Sequence, residues 1–558
     1  MAQKVVSPLH RFWLLIKPDK KEIRNVYVYA IFYGLVQLSL PIGIQAIINL
    51  IQGGQMSTSW VILVACVIGG VIVTGILQIA QLQISEHLQQ KIFARAAFEF
   101  AYRIPKIRME ELYKKYAPEL MNRFFDIVSV QKGLSKILID FSTASIQTIF
   151  GLLLLSMYHP FFIVFSLVLV ALVYSIFKLT SRKGLETSLK ESKSKYYVAS
   201  WLEEIARASI SFKLAGKSDL PMEKTDDEVN MYIGARDSHF KVLKQQYILM
   251  VLFKVIVAAG LLIVGSILVM EQQMNIGQFV AAEIIILLII GSVEKLILSL
   301  ETMYDVITSL EKIGQVTDME LDRESGMDIQ HAVHNRGLKV EVSNIDFHYP
   351  EQDKFVFKNA SLIIEDGDKL LLLGDGSSGK TTFLYLLSGL YRLQKGTIAF
   401  NDIPLDNLNP TCIRSLIGNS FSNDTLFEGT IMENITMGRE GIDFSNVQWI
   451  MEKLKLTDFI KSLPKGFNTP IIAQGKAISR GNIDKLILAR ALVGNPKFVL
   501  IKDNFNTLKE SERLDIFKFL SDPSNDWTLV ISSSDEDLKP LMNRTVMVEN
   551  AQLIEVNS

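Results

Sequence analysis

Six apolar runs lie in the first half of the chain, and each is long enough to cross a lipid bilayer as a helix of about 20 residues. They lie near residues 25–51, 60–82, 136–158, 161–180, 247–270 and 277–300. Hydrophobic residues make up 49 % of the chain, so we expect part of it to be embedded in lipid. We therefore predict an all-α, six-helix transmembrane domain over residues 1–317.

Basic residues are distributed on one side of these spans. The short connections 52–59, 158–160 and 271–277 contain no Lys or Arg, whereas the long connections 83–135 and 181–246 contain many. Because positive residues stay inside, both termini and both long connections are predicted to be cytoplasmic. A soluble bundle of six buried helices would not produce this asymmetry. The sequence thus predicts a multi-pass protein of the cell (inner) membrane, in contact with lipid.

The long connections mix apolar and charged residues at helical spacing, which predicts that the spans continue as stalks. One turn between stalks is expected at Tyr116–Leu120, where Pro118 favours a helix start, and another near Ser209–Phe212. Either these turns contact a cytoplasmic domain or they are solvated. Because the first span begins near residue 25, we expect no peptidase domain before it.

The acidic residue Glu283 falls inside the last span, roughly 8 Å from its outer end at about 1.5 Å per residue. A carboxylate at a helix centre costs about 3 kcal/mol on insertion scales, which the apolar residues of the same span offset. We expect Glu283 to face the bundle interior or a wet cavity, either on a substrate path or as a paired structural group.

A glycine-rich motif in the second half has the pattern G-x-x-x-x-G-K-[ST]. Its residues, and the threonine after it, are Gly374, Asp375, Gly376, Ser377, Ser378, Gly379, Lys380, Thr381 and Thr382. In such a loop, backbone N–H groups surround phosphates, the lysine adds a positive charge, and the Thr381 hydroxyl can ligate Mg²⁺. Residues 369–373 read as a buried strand before it, and a helix opens after it, so the context fits a phosphate-binding loop.

The chain of 558 residues is too long for one ordinary domain. A charged stretch at 318–336 reads as a linker, and from Gly337 strands and helices alternate, which predicts an α/β domain over residues 337–558. Tyr349 ends an early strand of this domain. It can stack on a purine, although packing alone would also explain a single tyrosine.

The spacing of several segments in this half resembles the ATPase domain of ABC transporters. The segments are Tyr349, the loop 374–381, Leu426–Ile435 and Leu488–Pro496. With six preceding spans, the chain resembles an ABC exporter half-transporter, most closely the type I secretion ATPases that move toxins and large polypeptides. The resemblance implies ATP and Mg²⁺ as ligands. It also implies a homodimer or a heterodimer with another half, with a periplasmic adaptor as a further candidate partner.

In that family, ATP lies between the phosphate loop of one half and a signature loop, LSGGQ, of the other. The corresponding segment here is Ile478–Asn482, which keeps Ser479 and Gly481 but has Arg480 in place of the first glycine. Arg480 puts a side chain where backbone should approach the γ-phosphate closely. Two further family residues are also replaced: Ser422 stands at the Q-loop glutamine and Ser534 at the switch histidine.

The strand after Pro496 should be followed by Asp and Glu, the metal partner and the general base. Without a gap, Lys502 takes the Asp position and Asp503 the Glu position, which makes Asp503 the candidate catalytic residue. With a gap of one residue, Asp503 becomes the metal partner and Asn504 takes the position of the base. Either alignment loses one acidic role.

These observations predict a membrane subunit of an exporter for a polypeptide or other large substrate, which binds ATP and hydrolyses it weakly or not at all. Whether it is an enzyme stays open. The alternative is a non-transporting scaffold or regulatory sensor that responds to ATP. The net charge of −1, without a long basic run, gives no argument for nucleic acid as a partner. The two cysteines, Cys66 and Cys412, exclude a disulfide framework or a cysteine metal cluster.

Overall fold

The chain is described in two separate units. The computed structural model describes residues 8–53, 58–113, 115–329, 337–421, 424–472, 475 and 477–556. A helical unit comprises the residues up to 105 and residues 116–319, and an α/β unit comprises residues 106–115 and those from 320 onward. The α/β unit thus includes a ten-residue segment that the predicted boundaries assign to the transmembrane domain. Of the predicted linker, residues 330–336 lie outside the described residues.

Long apolar helices form the helical unit. Its helices are Pro8–Ile16, Lys20–Gln37, Ser39–Gln52, Thr58–Arg103, Ala117–Leu120, Asp126–Lys136, Ser142–Ser156, Pro160–Arg207, Ser209–Leu214, Leu220–Gly260, Ser266–Met270 and Ile276–Thr317. Six helical stretches of 40 to 51 residues are long and apolar enough to cross a membrane, which confirms the prediction of six spans. The helix Thr58–Arg103 alone rises about 69 Å at 1.5 Å per residue, more than twice the thickness of a bilayer core.

Local sequence signals set where these helices begin. His159 accepts a hydrogen bond from the backbone of Phe161 at 3.2 Å, and Pro160 occupies the first turn of the helix that follows. Asn275 and Gln278 form a reciprocal capping box at the start of the last long helix. Pro118 lies in the first turn of the helix Ala117–Leu120, as its position predicts.

Acidic residues inside the last span have different surroundings. Glu283 is exposed, whereas Ala281 and Ala282 beside it are completely buried. The expectation that Glu283 faces the interior of this bundle is therefore wrong. The alternative, that Glu283 faces a wet cavity, stays a prediction. Glu294 pairs with Lys254 of a neighbouring helix at 2.8 Å, so its charge is compensated within the bundle.

Two main sheets and short helices form the α/β unit. The strands are β1 Val340–Phe347, β2 Phe357–Ile364, β3 Lys369–Leu373, β4 Lys395–Phe400, β5 Ile403–Pro404, β6 Ile417–Ser420, β7 Gly429–Thr430, β8 Pro470–Ile471, β9 Phe498–Lys502, β10 Thr528–Ser532, β11 Arg544–Glu549 and β12 Gln552–Val556. The α-helices are Met109–Leu112, Lys380–Leu387, Pro410–Ser415, Ile431–Thr436, Phe444–Lys453, Thr457–Ser462, Arg480–Leu492 and Glu510–Ser521. This architecture confirms the predicted fold class.

Strand order brings three loops to one edge. One sheet has the order β2-β1-β4-β5, and the larger sheet has the order β12-β11-β3-β10-β9-β6. In the larger sheet, β10 is parallel to both β3 and β9, and all residues of β3 and β10 are buried. Such buried central strands read as continuous apolar runs, as residues 370–373 do. The loops that follow β3, β9 and β10 therefore meet at the carboxyl edge of the sheet, where α/β proteins bind ligands.

Candidate functional site

A cleft of about 840 Å³ lies at this carboxyl edge, large enough for a nucleotide. It is lined by Tyr113, Tyr349, Gln352, Lys354, Phe355, Val356, residues 375–382, Lys502, Asp503, residues 532–534, Asn550 and Ala551. The structure therefore brings together Tyr349, most of the phosphate loop (residues 374–381) and the end of β9. That these residues bind nucleotide stays a prediction.

Two glycines allow the phosphate loop to fold. Gly374 has φ +144°, and a Cβ there would lie 2.6 Å from the carbonyl oxygen of Val548. Gly379 has φ +109°, and a Cβ there would lie 2.8 Å from a methyl group of Val356. A residue with a side chain would be strained at both places, so the motif needs glycine at these positions.

Lys380 begins the helix after the loop, and its ammonium group lies inside the loop. It donates hydrogen bonds to the carbonyl oxygen of Gly374 and, at 2.9 Å, to that of Asp375. Burial lowers the pKa of Lys380; the negative charge of Asp375 opposes this shift, and the charge of Lys502 adds to it. An anion at the loop would compensate both positive charges, which favours a polyphosphate ligand.

Polar groups in the loop fit phosphate oxygens. The hydroxyl of Ser378 is buried and has no hydrogen-bond partner among the described residues. A buried polar group without a partner costs free energy, so Ser378 is an available donor to a ligand. The helix Lys380–Leu387 points its first turn at the same loop, and helix N-termini favour anions.

Tyr349 follows β1 and is fixed from several sides. Its hydroxyl lies 2.8 Å from the hydroxyl of Thr382, directly after the phosphate loop. Its ring meets those of Phe347 and Tyr391 edge to face, at centroid distances of 5.2 and 5.4 Å. Its ring also stacks on Tyr113, with centroids 4.9 Å apart and an angle of 12° between the planes. The tyrosine is therefore positioned to hold an aromatic ring beside the phosphate loop.

Lys502 is the last residue of β9 and lines the cleft beside the phosphate loop. It pairs in register with Ser532 at the end of β10, so both residues stand at the edge where the loops meet. No ion pair to Lys502 is found among the described residues. Its positive charge therefore adds to that of Lys380 in the cleft.

Asp503, the candidate general base, is held by a half-buried arginine. Arg513 donates to its carboxylate at 2.5 Å and also pairs with Asp535 at 2.6 Å. Ser533 donates to the same oxygen of Asp503 at 2.7 Å. The side chain of Asp503 is only 5 % exposed. Arg513 and Ser533 therefore already occupy the carboxylate of Asp503 with hydrogen bonds.

Arg513→Met is expected to destabilise the protein by about 3 kcal/mol, because it leaves the buried carboxylate of Asp503 without a cation. Thermal unfolding of the full chain in detergent measures this loss. Lys455→Met is the matched control, since Lys455 forms an exposed pair with Asp515. That control should cost less than about 1 kcal/mol. Equal losses in the two variants would contradict the structural role of Arg513.

The signature segment lies away from this cleft. Ser479 precedes the helix Arg480–Leu492 and is exposed, and neither Ser479 nor Gly481 lines the cleft. Arg480 pairs with Asp484 along its own helix at 3.0 Å. A Cβ at Gly481 would lie 2.6 Å from Leu508, so packing also explains this glycine. That Ser479 and Gly481 contact nucleotide stays a prediction.

The structure describes only one of the two serines that replace family residues. Ser534 lines the cleft and is exposed. Ser422 lies outside the described residues. Sequence reasoning missed the cleft residues Tyr113 and Gln352 and the partner Arg513. Long-range packing brings Tyr113 to the site, whereas Gln352 and Arg513 lie near Tyr349 and Asp503 in the chain but belong to no motif that would single them out.

The site fits Mg²⁺ only in part. The Thr381 hydroxyl lies in the cleft, but Lys502 occupies the end of β9, where a cation would need a negative group. Among the described residues, no group of three or more His, Cys, Asp or Glu side chains is arranged to hold a metal ion. Beside the acidic residues Asp375 and Asp503, which also line the cleft, the described residues supply the neutral Thr381 hydroxyl and the repelling charge of Lys502.

Two family models match the chain. Residues 24–293 match the ABC transporter transmembrane region, and residues 357–506 match the ABC transporter family. In the solved structure of a bacterial Atm1-family ABC exporter with ATP bound, the fold is the same, with a TM-score of 0.80 and 17 % identity. The match covers 96 % of this chain and 94 % of that one.

Curated relatives match over shorter stretches. The chain is 27 % identical to the alpha-hemolysin translocation ATP-binding protein HlyB of Escherichia coli O157:H7 over 52 % of this chain and 41 % of that protein. It is 33 % identical to the mitochondrial ATP-binding cassette sub-family B member 10 of Mus musculus over 31 % and 25 % of the two chains. The matched stretches thus span about half or less of these relatives.

Proposed function

The chain belongs to the ABC exporters as a half-transporter, and we propose that it is an exporter subunit that binds ATP but hydrolyses it slowly or not at all. The observation that carries the proposal is the contrast within one cleft. The phosphate loop has its full set of residues, whereas Lys502 and the arginine-bound Asp503 occupy the positions of the acidic groups.

Binding is supported by charge and shape. Lys354, Lys380 and Lys502 line the cleft, against the acidic residues Asp375 and Asp503. Arg513 already compensates Asp503, so the cleft has an excess of positive charge. A triphosphate complements this excess of positive charge. The ring of Tyr349 lies beside the phosphate loop, on the side where it could stack on the purine of the same nucleotide.

Slow hydrolysis follows from what surrounds the position of the attacking water. Phosphoryl transfer depends on positioning and on stabilising charge, and a placed base or water-orienting group contributes roughly 10²–10⁴-fold. We favour the ungapped alignment, with Lys502 at the metal-partner position and Asp503 at the base position. Neither group then performs the family role, and Ser534 cannot replace a histidine as a proton-accepting or orienting group.

Mg²⁺ is proposed to contribute little to nucleotide binding. If the ion accompanies ATP, Thr381 and the phosphate oxygens are its proposed ligands, and it would supply charge neutralisation there. Lys502 supplies part of that neutralisation from the protein side. ATP binding should then not require the ion.

ATP affinity is expected to be about the same with Mg²⁺ and with EDTA. Isothermal titration of the full chain in detergent measures both values. Lys502→Asp should make ATP binding depend on Mg²⁺, with an affinity roughly tenfold weaker in EDTA than with the ion, because one charge-assisted contact is lost. Lys453→Asp, at an exposed residue outside the cleft, is the charge-matched control. Strong Mg²⁺ dependence of the unaltered chain would contradict this proposal.

The assembly is proposed to be a dimer of halves. Ser479 and Gly481 lie outside the cleft of their own chain, which fits a signature segment that acts on another half. That half is either a second copy or a more active chain, with a periplasmic adaptor as a further proposed partner. The basic long connections support cytoplasmic termini in the inner membrane.

Transport of a polypeptide or other large substrate is the leading proposal for the whole protein. It is supported by the six spans and by a relative named for alpha-hemolysin translocation. The altered cleft favours the second candidate, a non-transporting scaffold or sensor. Reconstituted vesicles, with this chain alone and with candidate partner halves, separate the two. ATP-dependent accumulation of substrate would support transport, and ATP binding without accumulation in every combination would support the scaffold.

A further inference from the structure

We propose that Tyr113 occupies the base-binding face of Tyr349, so that the base of an incoming nucleotide must displace it. The proposal rests on the proposed function, because it assigns a control step to the same nucleotide cleft. It makes Tyr113 a gate whose ring competes with the ligand's own ring.

The two tyrosines form a close parallel stack. Their centroids are 4.9 Å apart and their planes differ by 12°, which is an offset aromatic pair. Gln352 strengthens this arrangement, because its side chain donates to the Tyr113 hydroxyl at 2.6 Å. The backbone of Gln352 also donates to the carbonyl oxygen of Tyr349 at 3.1 Å. One residue therefore fixes both partners of the stack.

Tyr113 lies on the cleft side of Tyr349. Phe347 and Tyr391, the other rings around Tyr349, are 1 % and 8 % exposed and belong to the buried core. Tyr113 instead lines the cleft together with the phosphate loop. A base whose phosphates are in the loop would approach Tyr349 from this same side.

The stack leaves no room for a third ring. A base between the two tyrosines would need about 3.5 Å to each, so the two ring planes would have to be about 7 Å apart. The centroids are 4.9 Å apart, with nearly parallel planes. Either a base or Tyr113 can therefore cover this face of Tyr349, but not both.

Tyr113 lies towards the end of a segment that is fixed at its start. Ile107 bridges to Leu321 in strand-like pairing, and Arg108 pairs with Glu320 at 2.5 Å. Glu110 accepts a hydrogen bond from the backbone of Arg392 at 2.9 Å. Displacing the ring of Tyr113 thus does not require the segment to detach. This segment follows the helix Thr58–Arg103 along the chain.

Tyr113→Ala tests the competition in the full chain. ATP should bind roughly 2- to 12-fold more tightly, the change that corresponds to one aromatic stack. Inorganic tripolyphosphate, which has no base, should bind with unchanged affinity. Tyr116→Ala, an exposed tyrosine of the same connection that does not line the cleft, should change neither value. Weaker ATP binding by Tyr113→Ala, or equal changes for ATP and tripolyphosphate, would overturn the proposal.

Tyr113→Trp reports the displacement itself. ATP should shift the emission of the introduced indole to longer wavelength, relative to the unaltered chain, as the ring leaves the stack for solvent. Tripolyphosphate should produce no shift. Displacement would be refuted if the Tyr113→Trp variant binds ATP but its fluorescence emission does not change. If the unaltered chain and Lys380→Ala bind ATP equally poorly, the proposed function itself fails. ATP binding that depends on Lys380 but not on Tyr113 sinks this inference alone.

Discussion

Lys380→Ala is expected to weaken ATP binding roughly 10- to 100-fold. The ammonium group is the loop's own positive charge, and a hydrogen bond to a charged group is worth about 1.5–3 kcal/mol. In the structure this group already lies among the loop carbonyl oxygens of Gly374 and Asp375, so it needs little movement to reach a phosphate. Titration of purified full-length protein with ATP measures the change.

Lys453→Ala serves as the control for loss of a lysine charge elsewhere in the α/β unit. Lys453 is exposed near the end of the helix Phe444–Lys453 and does not line the cleft. Its replacement should leave the affinity unchanged. Both variants should unfold at the temperature of the unaltered chain, since Lys380 has no carboxylate partner among the described residues. ATP affinity that survives Lys380→Ala would show that the loop is not the binding site.

A triple substitution that returns the family residues is expected to raise ATP turnover by roughly 10²-fold or more. The substitutions are Lys502→Asp, Asp503→Glu and Ser534→His. They restore a negative group for the cation, lengthen the base by one methylene group and return a switch imidazole. The unaltered chain should show turnover close to the background. Steady-state phosphate release with Mg²⁺ and ATP measures both.

Adding Lys380→Ala to the triple variant should return turnover to the background, which ties the gain to this cleft. The gain is not expected to reach that of an intact site, because Arg480 and Ser422 remain altered and residues of one catalytic unit do not act additively. Family-like turnover by the unaltered chain, abolished by Lys380→Ala, would disprove the weak-hydrolysis proposal.

Features that depend on neighbours in the sequence could be predicted. The six spans follow from apolar length alone, and the phosphate loop lies between the strand and the helix that its flanking residues indicate. The position of Tyr349 directly after a strand could also be predicted, because that strand ends at Phe347.

Features that depend on the packing of side chains from different elements could not be predicted from the sequence. Arg513 reaches Asp503 from the next helix, and nothing in the spacing of the two residues indicates an ion pair. Tyr113 lies 236 positions before Tyr349 in the chain, so their stack has no sequence signature. The expectation that Glu283 faces the bundle interior or a wet cavity rests on its cost in lipid, and insertion cost does not specify which face of a helix carries the charge.

The bond between Arg513 and Asp503 also bears on how this site can change over generations. Loss of Arg513 would leave the buried carboxylate of Asp503 without a cation, whereas Arg513 without Asp503 would keep its pair with Asp535. A single step that releases Asp503 by removing Arg513 therefore lowers stability before it restores any chemistry. A return to hydrolysis by this route would have to pass through a less stable intermediate sequence. The ion pair itself therefore favours retention of the inactive site.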